Sequence, residues 1–149
     1  MLSISHVATG AFIASKVSNP LIAIPLILAS HFLEDWIPHW DVGTGLTNGT
    51  RKKESAFGME IVELVLSFVI VYFFFQFHQT TTFPLWTYVG GFVGLIPDFL
   101  EFPRNFFHWE PFWLEPINKF HGIFHHSTPN MVVGLTPQFI LLLVIFLLK

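Results

Sequence analysis

His31-Phe32-Leu33-Glu34-Asp35-Trp36-Ile37-Pro38-His39-Trp40-Asp41 places five ionisable side chains within eleven residues, directly after the apolar run Leu21–Ala29. Only 11% of the 149 residues are charged, so this concentration beside a hydrophobic segment is costly unless it is paired or functional. In a helix, His31 and Asp35 stand four apart and share a face, with Cβ atoms ~5–6 Å apart. Pro38 ends such a helix, and His39 and Asp41 lie just beyond it. Imidazoles and carboxylates at this spacing read as metal ligands, for one ion or two adjacent ions. A helix-end cap with a hydrogen-bonded core histidine is the plainer alternative.

Working outward, the composition sets the class. Hydrophobic residues make up 52% and mean hydropathy is +0.60, above the range of an ordinary soluble domain. The length is that of one domain, residues 1–149. With no cysteine, any metal must be held by His, Asp and Glu, which suits zinc, with iron or manganese also possible. A net charge of −3 without a long basic run argues against nucleic acid as a partner.

Five apolar segments are expected as helices: Ser5–Val17, Pro20–Trp36, Phe57–His78, Phe83–Glu101 and Met131–Leu148. Asn19-Pro20 is a cap followed by proline at the first helical position. Small residues at Ala8, Gly10, Ala11 and Ala14 suit close helix contact in a bilayer, as do Gly90, Gly91 and Gly94. The fourth helix is expected to end at Ile96-Pro97-Asp98. Asp41–Ser55 reads as a surface loop, Gln79–Thr82 as a polar turn, and Phe102–Pro129 as an aromatic loop suited to a membrane interface. The segment before Asn19 has no basic leader and no cleavage site of signal-peptide type.

The expected architecture is therefore all-α: an integral membrane bundle of about five helices with a metal site at one membrane face. Arg51, Lys52, Lys53, Arg104 and Lys119 fall on one side and Lys16 and Lys149 on the other, which marks the first side as cytoplasmic. A prokaryotic inner membrane is the expected location. His6, His31–Asp41, Glu60, Asp98 and His121–His126 all gather near that same side.

Those residues form the candidate site. His6, His31, Asp35, His39, Asp98, His121, His125 and His126 are the candidate metal ligands. Asp35 or Asp98 would bridge two ions, and Glu60 is the candidate general base. Glu60 and Glu63 have a second reading, as anions favoured near a helix N-terminus. Asp98 at a helix C-terminus faces the wrong end of the dipole and calls for a compensating cation. His121 and His125 share a face if helical, whereas His121 and His126 converge if the segment is a turn. An interfacial, pH-sensitive His cluster is the alternative there. Glu101 is expected to be the more exposed of the two carboxylates at 98 and 101. His78 and His108 read as surface residues. Ser127 suits a hydrogen-bonding role rather than a nucleophile, because no Gly-x-Ser-x-Gly elbow is present.

The stretch His121-Gly122-Ile123-Phe124-His125-His126-Ser127 resembles the His-Arg-Gly-Phe-Thr-His-Ser signature of the YdjM-like membrane-bound metal-dependent hydrolases. His6 matches that family's early histidine. Ile96-Pro97-Asp98 matches the first half of its Leu-Pro-Asp-x-Asp-His motif, with Leu100 and Glu101 where Asp and His are expected and Gly122 where Arg is. The resemblance implies roles for His6, Asp98, His121, His126 and Ser127 in a membrane hydrolase. His31-x3-Asp35-x3-His39 also resembles the metal helix of zinc-dependent phospholipase C and related α-helical phosphodiesterases. Together the two imply phospholipase-like hydrolysis of a phosphoester, with two or more zinc ions and a membrane lipid or lipid phosphate as substrate. A di-iron or other redox membrane protein fits a His- and carboxylate-rich bundle as well, although its usual Glu-x-x-His pair is absent. A non-enzymatic metal-binding protein or transporter is the third reading; a transporter would place its polar residues near the membrane midplane.

Overall fold

A computed structural model describes residues 1–46, 49–78 and 83–149. The expected turn at Gln79–Thr82, and Asn48 of the surface loop, lie outside these residues. The described chain is all-helical: α1 Ser3–Lys16, α2 Pro20–Trp36, α3 Lys53–Val71 continuing as a π-helical turn Tyr72–Gln76, α4 Leu85–Phe107, α5 Glu115–Phe124 and α6 Met131–Leu148. The only β pairing among the described residues is an isolated parallel bridge between His39 and Ser127.

α2 and α6 have the expected bounds, and their caps show why. The Asn19 side chain accepts from Leu21 N at 3.0 Å and that of Asn130 from Val133 N at 3.2 Å, each satisfying a backbone donor that the first turn leaves free. Ile37 is extended, as a residue before proline prefers, and this ends α2.

Three expectations needed correction. α3 begins at Lys53, four residues early, because its first turn is polar and carries Glu54, which the helix dipole favours. α4 does not stop at Pro97-Asp98 but runs through Pro97 and Pro103 to Phe107, where His108 adopts a left-handed conformation. A proline removes one N–H and strains one turn. Beyond Pro97, side-chain pairs one turn apart support the helix: Arg104 Nη2 donates to Glu101 Oε1 at 2.7 Å and Asn105 Nδ2 to Glu101 Oε2 at 3.4 Å. Asp98 is thus mid-helix, and the C-terminal dipole argument for it falls. Within the expected aromatic loop lies α5, with Pro116 in its first turn and a Glu115–Lys119 pair at 2.6 Å. Among the described residues the bundle therefore has six helices, not five.

α1 packs chiefly on α4, backbone to backbone. A Cβ on Gly10 would stand 2.3 Å from the Gly90 carbonyl oxygen, and one on Gly94 would stand 2.5 Å from that of His6. No other residue fits at such a crossing. α6 approaches the chain after α2 in the same way: a Cβ on Gly134 would lie 2.3 Å from Trp40 N.

The distribution of polarity is inverted. Leu21 is 85% exposed, and Phe139 and Leu147 are each 70% exposed, while His6, His31, Asp35, His39 and His121 are buried. Among the described residues, two helices are long and apolar enough to cross a membrane. They are Lys53–Gln76, of mean hydropathy 2.1, and Met131–Leu148, of mean hydropathy 2.5. Only 17% of each apolar window is buried, unlike the core helix of a soluble protein.

Candidate metal centre

Four helices and one loop deliver the buried polar side chains to a single place. α2 presents His31 and Asp35 from adjacent turns of one face. Beyond its end, the chain pairs with the segment after α5: His126 N donates to the Asp35 carbonyl at 3.0 Å, His39 N to the His126 carbonyl at 3.1 Å, and Thr128 N to the His39 carbonyl at 2.7 Å. This short ladder aligns His39 with His125 across 86 positions of chain. Gln138 of α6 donates to the Trp40 carbonyl at 2.7 Å and accepts from Leu2 N at 2.8 Å, so one buried amide fixes both the His39–Asp41 segment and the start of α1.

Among the described residues two groups of donor atoms result, each able to hold a metal ion: His31, Asp35, Asp98 and His121, and Asp35, His39 and His125. In the first, His31 Nε2 and His121 Nε2 lie 3.2 Å apart. Asp35 Oδ2 stands 2.8 Å from His121 Nε2 and 3.4 Å from His31 Nε2. Asp98 Oδ1 lies 3.7 and 3.9 Å from the same two nitrogens. In the second, Asp35 Oδ1 lies 3.7 Å from His39 Nε2, which is 3.2 Å from His125 Nε2. Asp35 therefore turns one oxygen toward each group. His6 Nε2 lies 3.2 Å from Asp35 Oδ1 and 4.0 Å from Asp98 Oδ2, with its ring stacked on His31. The Met1 α-ammonium lies against Asp35 Oδ1 and 2.9 Å from His6 Nε2.

The far sides of the rings are equally ordered. His31 Nδ1 donates to the Gly94 carbonyl at 2.8 Å and His39 Nδ1 to the Ile37 carbonyl at 2.9 Å. A carbonyl only accepts, so Nδ1 carries the proton and Nε2 offers its lone pair inward. His6 Nδ1 lies 2.9 Å from Glu34 Oε2, and His121 Nδ1 lies 3.3 Å from Glu101 Oε1. Neutral or anionic groups behind metal-binding imidazoles set their orientation and raise their basicity.

Charge shifts follow the same contacts. Burial pulls the His121 ring down, but its contacts with Asp35 and Glu101 prevail and hold it at about 10. Burial likewise opposes, and Asp41 outweighs, a raised His125. For Asp41 burial raises the carboxyl, yet His125 and His39 beside it hold it well below the ordinary carboxylate range. Metal ligation by such rings requires that their protons leave.

Not every candidate arrives. The His126 ring is exposed and outside both groups; its backbone, not its imidazole, ties the site together. Ser127 is exposed, as are His78 and His108. Glu60 Oε1 accepts from the Ser3 hydroxyl at 2.6 Å and Glu63 Oε2 from Ser3 N at 3.0 Å, so both carboxylates anchor the start of α1. Glu101 proves less exposed than Asp98, 13% against 32% for the side chains, reversing the expected order. Its place three residues after Asp98, on the same face, was the available signal. Glu34 carries no sequence signal of its own: next to Asp35, it points about 100° away on the helix, the direction in which α1 brings His6.

Comparison with family models, curated proteins and solved structures finds no match to this chain.

Proposed function

We propose that the protein is an integral membrane, metal-dependent hydrolase that cleaves a phosphoester of a lipid or membrane-associated substrate. The observation that carries this reading is Asp35, whose two oxygens face two separate His/Asp groups. A carboxylate shared between two ions is the arrangement of hydrolytic two-metal sites. Zinc suits the donors, since imidazoles predominate and no thiolate is present. Divalent ions held there would lower the pKa of a bound water from 15.7 to ~7 and withdraw charge from a phosphoryl oxygen.

The chain's own residues do the rest. Asp35 fixes the spacing of the two positions. Gly94 and Ile37 carbonyls keep His31 and His39 in the inward-donating tautomer. Asp98, the most open member of its group, marks the side from which substrate arrives. The inverted polarity and the two apolar helices support integration in a bilayer. Five of the seven basic residues lie on the expected side of the site, which favours the cytoplasmic face. The resemblance to YdjM-like hydrolases favours metal-dependent hydrolysis. A site at one end of the helices lets a lipid phosphate enter laterally. The predominance of imidazole over carboxylate favours hydrolysis over di-iron chemistry, whose bundle sites rest mainly on Glu.

The test is metal analysis of detergent-purified protein prepared without chelator, beside the double variant Asp35→Ala/His121→Ala, followed by phosphate release from phospholipids and lipid phosphates. Two zinc ions per wild-type chain and metal-dependent release support the reading. A wild type holding no more metal than the double variant overturns it.

A further inference from the structure

The second group, as described, has three donors, fewer than the first. One more buried group faces it. Asp41 Oδ2 stands 3.2 Å from His39 Nε2 and 3.2 Å from His125 Nε2, and those two nitrogens are themselves 3.2 Å apart. The three atoms make an equilateral triangle. Ligands held at ~2.0–2.1 Å in a tetrahedron are spaced roughly 3.3–3.4 Å from one another, so this triangle has the size of one face of a zinc polyhedron. An ion at that distance from all three would stand about 0.9 Å off their plane.

Asp41 is also built for the position. Its side chain is only 9% exposed, and the buried Oδ2 faces His39 Nε2 and His125 Nε2. Its other oxygen is engaged: the Thr44 hydroxyl donates to Oδ1 at 3.2 Å. The segment is clamped from behind, because Trp40 is held by Gln138 and packed against Gly134. A carboxylate fixed by one oxygen, with the other turned to two imidazole nitrogens at the spacing of a metal's ligands, is arranged for a cation.

We propose that Asp41 is a metal ligand, and that His39, Asp41 and His125 form the trigonal face of the second ion, with Asp35 linking it to the first. This rests on the two-ion reading above and assigns one residue that the reading did not require. It also separates the two positions in kind. The first ion is enclosed by His31, Asp35, Asp98 and His121. The second is gripped from one face by two imidazoles and a carboxylate. Three protein ligands on one face leave room for water or substrate on the other, as at catalytic zinc sites.

The experiment measures zinc and cobalt(II) binding to full-length protein in detergent for wild type, Asp41→Asn and His121→Ala. Asn keeps the shape of Asp but removes the charge. The expected result is that Asp41→Asn keeps one ion and binds the second roughly 100-fold more weakly or worse, beyond the effect of losing an outer-shell partner. Its cobalt spectrum should lose only the second ion's contribution, whereas His121→Ala loses the first's. Thr44→Val, which frees Asp41 Oδ1 without touching a ligand, should weaken the second ion by a smaller factor and guards against misfolding of the Asn variant. Wild type and Asp41→Asn both holding two ions with equal affinity overturns the role of Asp41 alone. A wild type holding no ion overturns the two-ion reading and this assignment with it.

Discussion

Asp35 Oδ2 and His121 Nε2 meet at 2.8 Å although 86 positions separate them in the chain. The contact joins α2 to α5, and the other Asp35 oxygen reaches toward His39, so one carboxylate joins both donor groups. Asp35→Asn should accordingly lower the content of both ions, whereas His121→Ala should lower only that of the first. Metal analysis after gel filtration reads the difference directly; loss of one ion in both variants would contradict a shared carboxylate.

Glu101 lies 3.3 Å behind His121 Nδ1 and Glu34 lies 2.9 Å behind His6 Nδ1. Neither belongs to a donor group. Removing the charge as Glu101→Gln should therefore weaken metal binding by about 10–100-fold without abolishing it, whereas Glu34→Gln, behind a ring that belongs to neither donor group, should weaken it less. Competition with a chromophoric chelator would measure the change. An unaltered affinity in both variants would show that these carboxylates do not tune the rings.

Metal uptake should be coupled to proton release. His121 is held at about 10, so its ring is protonated at neutral pH before a metal arrives, and contact with Asp41 raises His125 in the same direction. A raised imidazole pKa means that metal must displace a proton, and affinity therefore falls as pH is lowered. The logarithm of the affinity should rise with pH by roughly one unit per imidazolium displaced. Titration calorimetry in buffers of different ionisation enthalpy counts those protons, and a pH-independent affinity between pH 6 and 8 would refute the coupling.

Two glycines should respond oppositely to the same change. A Cβ on Gly94 meets the His6 carbonyl oxygen at 2.5 Å, so Gly94→Ala must push α1 from α4 and displace His6. A loss of about 1–3 kcal/mol in stability is expected, with weaker metal binding. Gly122, within α5, has nothing near an added Cβ, so Gly122→Ala should be neutral or stabilise by roughly 0.5–1 kcal/mol. Thermal unfolding in detergent compares the two.

Membrane integration has its own check. The chain should stay in the pellet after alkaline carbonate extraction. Phe139→Lys, on the most apolar helix and 70% exposed, should impair insertion by roughly 3 kcal/mol. Recovery of the wild type in the soluble fraction would remove the bilayer from the account.

Local chemistry was legible in the sequence. Asn19-Pro20 and Asn130 start helices through side-chain caps, four-residue spacing puts His31 and Asp35 on one face, and the absence of cysteine limits a metal to His, Asp and Glu. These features act within a turn or two of chain, so the sequence alone determined them. The extension of α4 past Pro97 was less legible, because hydropathy ends there while the Glu101–Arg104 pairing that supports the helix does not. What only the tertiary structure decided is which oxygen meets which nitrogen. The glycine crossing of α1 and α4 sets the depth of His6, the bridge between the segments at 39 and 127 sets His39 against His125, and α5 carries His121 to Asp35. Such contacts depend on how closely backbones approach across distant segments, and no local periodicity encodes that approach. Asp41 and His126 show the consequence. Both lie in His-containing stretches, yet the Asp41 carboxylate is buried against His39, next to a Trp40 held by α6, while the His126 ring is exposed.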